Sequence, residues 1–196
     1  MLPEFITIKT IYLILHVFGA VLGAGGAFAS DAMFFKTIKD GVIEKTELDF
    51  MKLGSKLVWA GVFVLIISGI LLFMTDPSRY LNSPKFLVKV TIVAIIILNG
   101  IVFHLIHLPH ISKHIGLKFN ESPSFIKKST FLLASGALSM VSWILTVILG
   151  MLRQVPYSYL EILSFYLLLV TFAVLVSILL KNKILNIKVT GHNNES

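Results

Sequence analysis

Five long apolar runs, each close to the ~20 residues a helix needs to cross a bilayer, alternate with short polar stretches along the chain. They fall at about residues 7–28, 57–74, 86–108, 131–152 and 157–180. No stretch alternates polar and apolar positions with period two, which argues against a membrane β-barrel. The pattern predicts an all-α integral membrane bundle of five transmembrane helices within residues 1–188, with a polar tail at 189–196. Between the first two spans, EKTELDFMKLGSKL keeps helical spacing. There Leu48, Phe50, Met51 and Leu53 predict an amphipathic interfacial helix inside a loop from Ser30 to Lys56. Arg153-Gln154-Val155-Pro156 is so tight that spans four and five must be antiparallel neighbours.

Composition sharpens this picture. The 196 residues are 56% hydrophobic and 14% charged, with a mean hydropathy of +0.90, so no soluble domain is left over to carry separate chemistry. Any site must lie between the helices or at their ends. The absence of cysteine removes thiolate ligands, iron–sulfur clusters and covalent haem attachment.

The net charge of +7 reads as membrane topology rather than nucleic-acid binding. Lys36, Lys39, Lys45, Lys52, Lys56, Lys113, Lys118, Lys127, Lys128, Lys181, Lys183 and Lys188 fall on one side of a five-span chain. Lys9, Arg79, Lys85, Lys89 and Arg153 fall on the other. The positive-inside rule then predicts an N-terminus outside and a C-terminus in the cytoplasm of a prokaryotic membrane. Ala27-Phe28-Ala29 before Ser30 looks like a signal cleavage site, but cleavage there would put the lysine-rich first loop outside. The segment therefore reads as a retained span. The lipid bilayer is the expected partner, with a redox partner or a second copy left open.

The candidate chemistry begins at His16, an ionisable residue at membrane depth and hence a functional-site hypothesis by default. At helical spacing behind it runs a stripe of Gly19, Ala20, Gly23, Gly26, Ala27 and Ser30. Such a stripe suits either a flat porphyrin or a neighbouring backbone, so it reads as a cofactor groove or as a helix contact. A second cluster, His104, His107, His110 and His114 in HLIHLPHISKH, has the three- and four-residue spacing of a divalent-metal or copper site. Pro109 is expected to break the helix between the pairs, and the competing reading is a basic helix end at the headgroups. The depth difference makes pairing of His16 with His104 on one haem awkward. Lys89 either snorkels to the outer interface or turns inward towards an anion. Asn99 needs an interhelical partner. Ser135, Ser139, Ser142 and Thr146 form a polar ladder that reads as a packing face. Asp31 and Glu161 read as charges at helix ends, and His192 in the tail reads as having no role.

The stretches LHVFGAVLGAGGAFASDAMFF, LVWAGVFVLIISGILL and KFLVKVTIVAIIILNG resemble a group of small bacterial membrane families. These are the copper-resistance D-like proteins, the HemJ-type protoporphyrinogen oxidases and an uncharacterised predicted-integral-membrane family, which SGALSMVSWILTVILGMLR resembles most. The resemblance covers most of residues 7–153. In HemJ-type proteins a first-helix histidine and a third-helix lysine are implicated in haem binding and activity. The resemblance puts these roles on His16 and Lys89, while the groove reading of the stripe adds Gly19 and Gly23 as cofactor-binding candidates. The chain departs from that pattern in its fourth and fifth helices, its glycine stripe and the missing tryptophan after the first-helix histidine. The resemblance thus implies non-covalent haem b rather than that particular oxidase activity. Three readings follow: a haem-associated protein centred on His16, a copper-like metal transport or tolerance protein using the histidine cluster, and a structural subunit with no cofactor.

Overall fold

The computed structural model describes residues 7–118 and 122–184. The polar tail with His192, together with Lys188, lies outside the described residues. The helices are α1 (Ile8–Asp40), α2 (Lys45–Thr75), α3 (Pro77–Leu81), α4 (Pro84–Val102), α5 (Leu108–Ser112), α6 (Pro123–Met151), α7 (Tyr159–Leu179) and α8 (Lys181–Ile184). A π-helical turn at Phe103–His107 joins α4 to α5. Five helical rods are long and apolar enough to cross a membrane, which is the build of a multi-pass membrane protein. Among the described residues there is no β-strand; Val42 with Lys118 and Ile43 with Ile115 form isolated bridges that tie the α1–α2 turn to the segment after α5.

The polar stretch between spans one and two is not the loop that hydropathy suggests. No helix breaker stands between Ser30 and Asp40, so α1 continues until Gly41, whose φ of 80° and N–H bond to the Thr37 carbonyl close it in a left-handed cap. Three residues later Glu44, with Glu47, forms a reciprocal capping box that starts α2. The expected interfacial helix is therefore the first turns of α2 itself, with Leu48 and Met51 buried. The Ala27–Ser30 stretch is interior to α1 and packs on α2.

Pro109 does not break its helix either. A proline has no N–H and crowds the carbonyl four residues back. The π-helical turn just before it, in which the Leu108 N–H bonds the Phe103 carbonyl, widens the rod by one residue. The span runs on from Pro84 to Ser112.

Close packing starts with the glycine stripe. A Cβ on Gly19 would stand 2.9 Å from the Leu65 nitrogen, and one on Gly26 would stand 2.8 Å from the Gly54 carbonyl oxygen. A Cβ on Gly61 would run into the backbone of Gly23, and one on Gly23 into the Trp143 ring of α6. The stripe lets α1 and α2 approach backbone to backbone along most of their length, the membrane counterpart of close small-residue packing. Fully buried Trp143 and Tyr166 anchor the main core, where α1, α2, α4, α6 and α7 meet. A second core of Phe34, Ile43, Leu48, Met51, Ile111 and Phe125 closes one end of the bundle.

Polar side chains add interhelical bonds where water cannot. Asn99 and Ser135 exchange two bonds between α4 and α6, with the Asn99 amide donating to the Ser135 carbonyl at 3.1 Å and the Ser135 hydroxyl donating to Asn99 Oδ1 at 2.7 Å. Ser142 meets the Tyr166 hydroxyl at 2.9 Å, and Thr91 meets that of Tyr159 at 3.1 Å. Thr146 donates to its own helix at the Ser142 carbonyl. The ladder on α6 is thus a packing face. Around α7 only Ile162 and Tyr166 are buried, and its Leu160, Phe165, Leu168, Phe172 and Leu175 are exposed, the surface of a helix facing lipid.

Candidate functional site

His16 sits in the third turn of α1, half-buried against α2. Its Nδ1 lies 3.0 Å from Ser68 Oγ. The single hydroxyl hydrogen of Ser68 is directed to the Val64 carbonyl at 2.6 Å. With that hydroxyl committed to the backbone, Ser68 accepts from His16, which assigns the proton to Nδ1 and the lone pair to Nε2. This is how a ligating histidine is normally held, with its outer N–H fixed by a neighbour. Gly69 leaves room beside the ring, since a Cβ there would stand 3.4 Å from His16 Cε1.

Lys89 stands near the start of α4, which follows the end of α2 that carries Ser68, with Lys85 one turn earlier. The two positions that the family resemblance singles out thus share one end of the bundle. Sequence spacing alone could not supply this, because the residues are on different spans. Ser68 was not picked out by sequence reading; a serine in an apolar run becomes informative only once its 52-residue partner is known.

Set against a b-type haem, these residues fit in part. His16 offers a ring nitrogen in the ligating tautomer, and Lys89 a positive charge for a porphyrin carboxylate. Gly19 and Gly23 do not fit, because α2 and Trp143 cover them. The stripe is a helix contact and not a cofactor groove.

The four histidines after Ile101 are not drawn into one site. His104 is exposed, while His107 is buried between Phe103 and Phe131, its ring 4.8 Å from that of Phe131. His110 stacks on Phe125 at 5.7 Å. Both ring nitrogens of His114 are engaged, Nδ1 with the His110 carbonyl at 2.8 Å and Nε2 with Ser124 Oγ at 3.0 Å. Among the described residues no group of three or more His, Asp or Glu is arranged to hold a metal ion. The π-helical turn explains the dispersal: its extra residue rotates His104 off the face that carries His107. Nor is His16 paired with His104, which lies fifteen residues beyond Lys89 on the same rod, about 22 Å along the axis.

A cavity of about 460 Å³ lies elsewhere, between α1, α2, α4, α6 and α7. Asp31 lines it, and its Oδ2 is shielded with no hydrogen-bond partner among the described residues. The sequence reading puts Asp31 at a helix end, where charge is cheap. In the structure α1 runs nine residues further, and Asp31 is inside the span. The signal for this was present: nothing between Asp31 and Gly41 stops a helix.

No protein-family model, curated protein or solved structure matches the chain.

Proposed function

We propose that this multi-pass protein resides in a prokaryotic cytoplasmic membrane, binds haem b non-covalently at His16 and serves a redox or haem-handling role. The observation that carries this reading is the His16–Ser68 hydrogen bond, which leaves Nε2 as the lone-pair nitrogen at membrane depth. Lys89 is the counter-charge for a porphyrin carboxylate, and Ser68 sets the ring's tautomer and angle. A haem bound there would supply one-electron chemistry. The α1–α2 contact through Gly19, Gly23 and Gly61 holds His16 and Ser68 in register. A redox partner within the same membrane belongs to this reading. The lysine distribution supports an N-terminus outside and a C-terminus in the cytoplasm.

The reading is tested by producing the protein with haem available, purifying it in detergent and recording its absorption spectrum. A Soret band is expected in the wild type and should be lost or shifted in His16→Ala. Absence of the band, or a band unchanged in His16→Ala, overturns the proposal.

A further inference from the structure

We infer that the cavity at Asp31 is a binding site for a lipophilic organic monocation, with the Asp31 carboxylate as its anionic anchor. The site is separate from His16, which lies fifteen residues earlier on α1, about 22 Å along the helix axis.

Asp31 presents an unmatched acceptor. A carboxylate inside a membrane span is costly unless something pairs with it, yet Asp31 Oδ2 is shielded and finds no partner among the described residues. Several of the polar groups around it are committed to other partners. Ser30 Oγ donates to the Met51 carbonyl at 3.4 Å, and Asn99 and Ser135 satisfy each other. The missing element is a donor or a positive charge from outside the chain.

The walls specify its kind. Among the described residues no lysine, arginine or histidine lines the cavity, and Asp31 is the one acid that does. The site therefore carries a single negative charge at most and matches one positive charge. A hard divalent ion needs several oxygen ligands, and no group of acids and histidines offers them among the described residues. The lining is instead mostly apolar, with Phe34, Trp59, Phe103 and Trp143 among it. Aromatic faces attract cations, and a largely apolar pocket with one placed polar group is the usual form of a small-molecule site. At about 460 Å³ the volume lies within the range of such sites, roughly 300–1,000 Å³.

Gly136 provides a clean probe of this space. A Cβ there would meet only Asp31 Oδ1, at 3.9 Å, so a larger side chain enters the cavity without striking backbone. Equilibrium dialysis of the full chain in detergent against radiolabelled tetraphenylphosphonium tests the proposal. Saturable binding is expected in the wild type, weakened at least tenfold in Asp31→Asn and removed in Gly136→Leu. Triphenylmethane, neutral and of similar bulk, should compete poorly. Saturable binding that is absent from the wild type, equal in Asp31→Asn, or displaced as well by the neutral compound overturns the inference. Should Asp31→Asn fail to fold, Gly136→Leu and the neutral competitor still decide the matter: binding that survives Gly136→Leu places the cation outside this cavity.

Discussion

At the scale of single residues, the hydroxyl of Ser68 determines what His16 can do. Replacing Ser68 with alanine frees the ring to exchange tautomers and to tilt, while leaving the ligand atom in place. Loss of such an outer partner typically costs 10–100-fold in affinity, so Ser68→Ala should retain a Soret band but weaken haem binding by about tenfold or more. A titration showing equal affinity would place the tautomer under some other control. Lys89→Gln should weaken haem retention by about tenfold, the worth of one charge-assisted contact, without removing the band. His16 was visible in the sequence because a lone ionisable residue stands out in an apolar run. Asp31 was visible too, but its surroundings were misread, since hydropathy averaging ends the first span where charges begin and not where the helix ends. Ser68 was invisible, because a serine's meaning depends on its partner across the bundle.

At the scale of elements, the glycines of α1 and α2 are the contact that sets helix separation. Gly61→Leu would drive a side chain into the Gly23 backbone and should destabilise the α1–α2 pair by about 1–3 kcal/mol, the usual cost of overpacking. Gly25, with nothing within 4 Å of its Cβ position, is the matched control, and Gly25→Leu should leave stability nearly unchanged. Unfolding midpoints in a series of denaturing-detergent mixtures compare the two; equal midpoints would mean that the helices can separate at no cost. The sequence showed that a small-residue stripe existed but could not say what covered it, because a porphyrin and a backbone both demand the same absence of side chains. Element boundaries were less legible than element identities. Gly41 and the Glu44–Glu47 capping box are turn signals that lie well inside the polar stretch. The π-helical turn before Pro109 left no mark that spacing rules recognise, and it separates His104 from His107, whereas the rings of His110 and His114 lie side by side at 4.6 Å.

At the scale of the whole molecule, the five-span architecture was legible from hydropathy alone, because a bilayer admits few other solutions for such runs. How the spans pack was not, since lipid and helix surfaces are alike in apolarity, and the few interhelical bonds link residues far apart in sequence. The lysine distribution predicts topology at this scale. A C-terminal green fluorescent protein fusion should fluoresce and a C-terminal alkaline phosphatase fusion should be inactive; the reverse pattern would invert the bundle and place the Asp31 end outside. Everything proposed for the first helix turns on His16 Nε2 as a haem ligand. The most direct measurement is a haem titration of His16→Gly with and without added imidazole, followed at the Soret band. The account predicts that the variant lacks the wild-type band and that imidazole, entering the space beside Gly69, restores it. A wild-type band in His16→Gly without imidazole would contradict it.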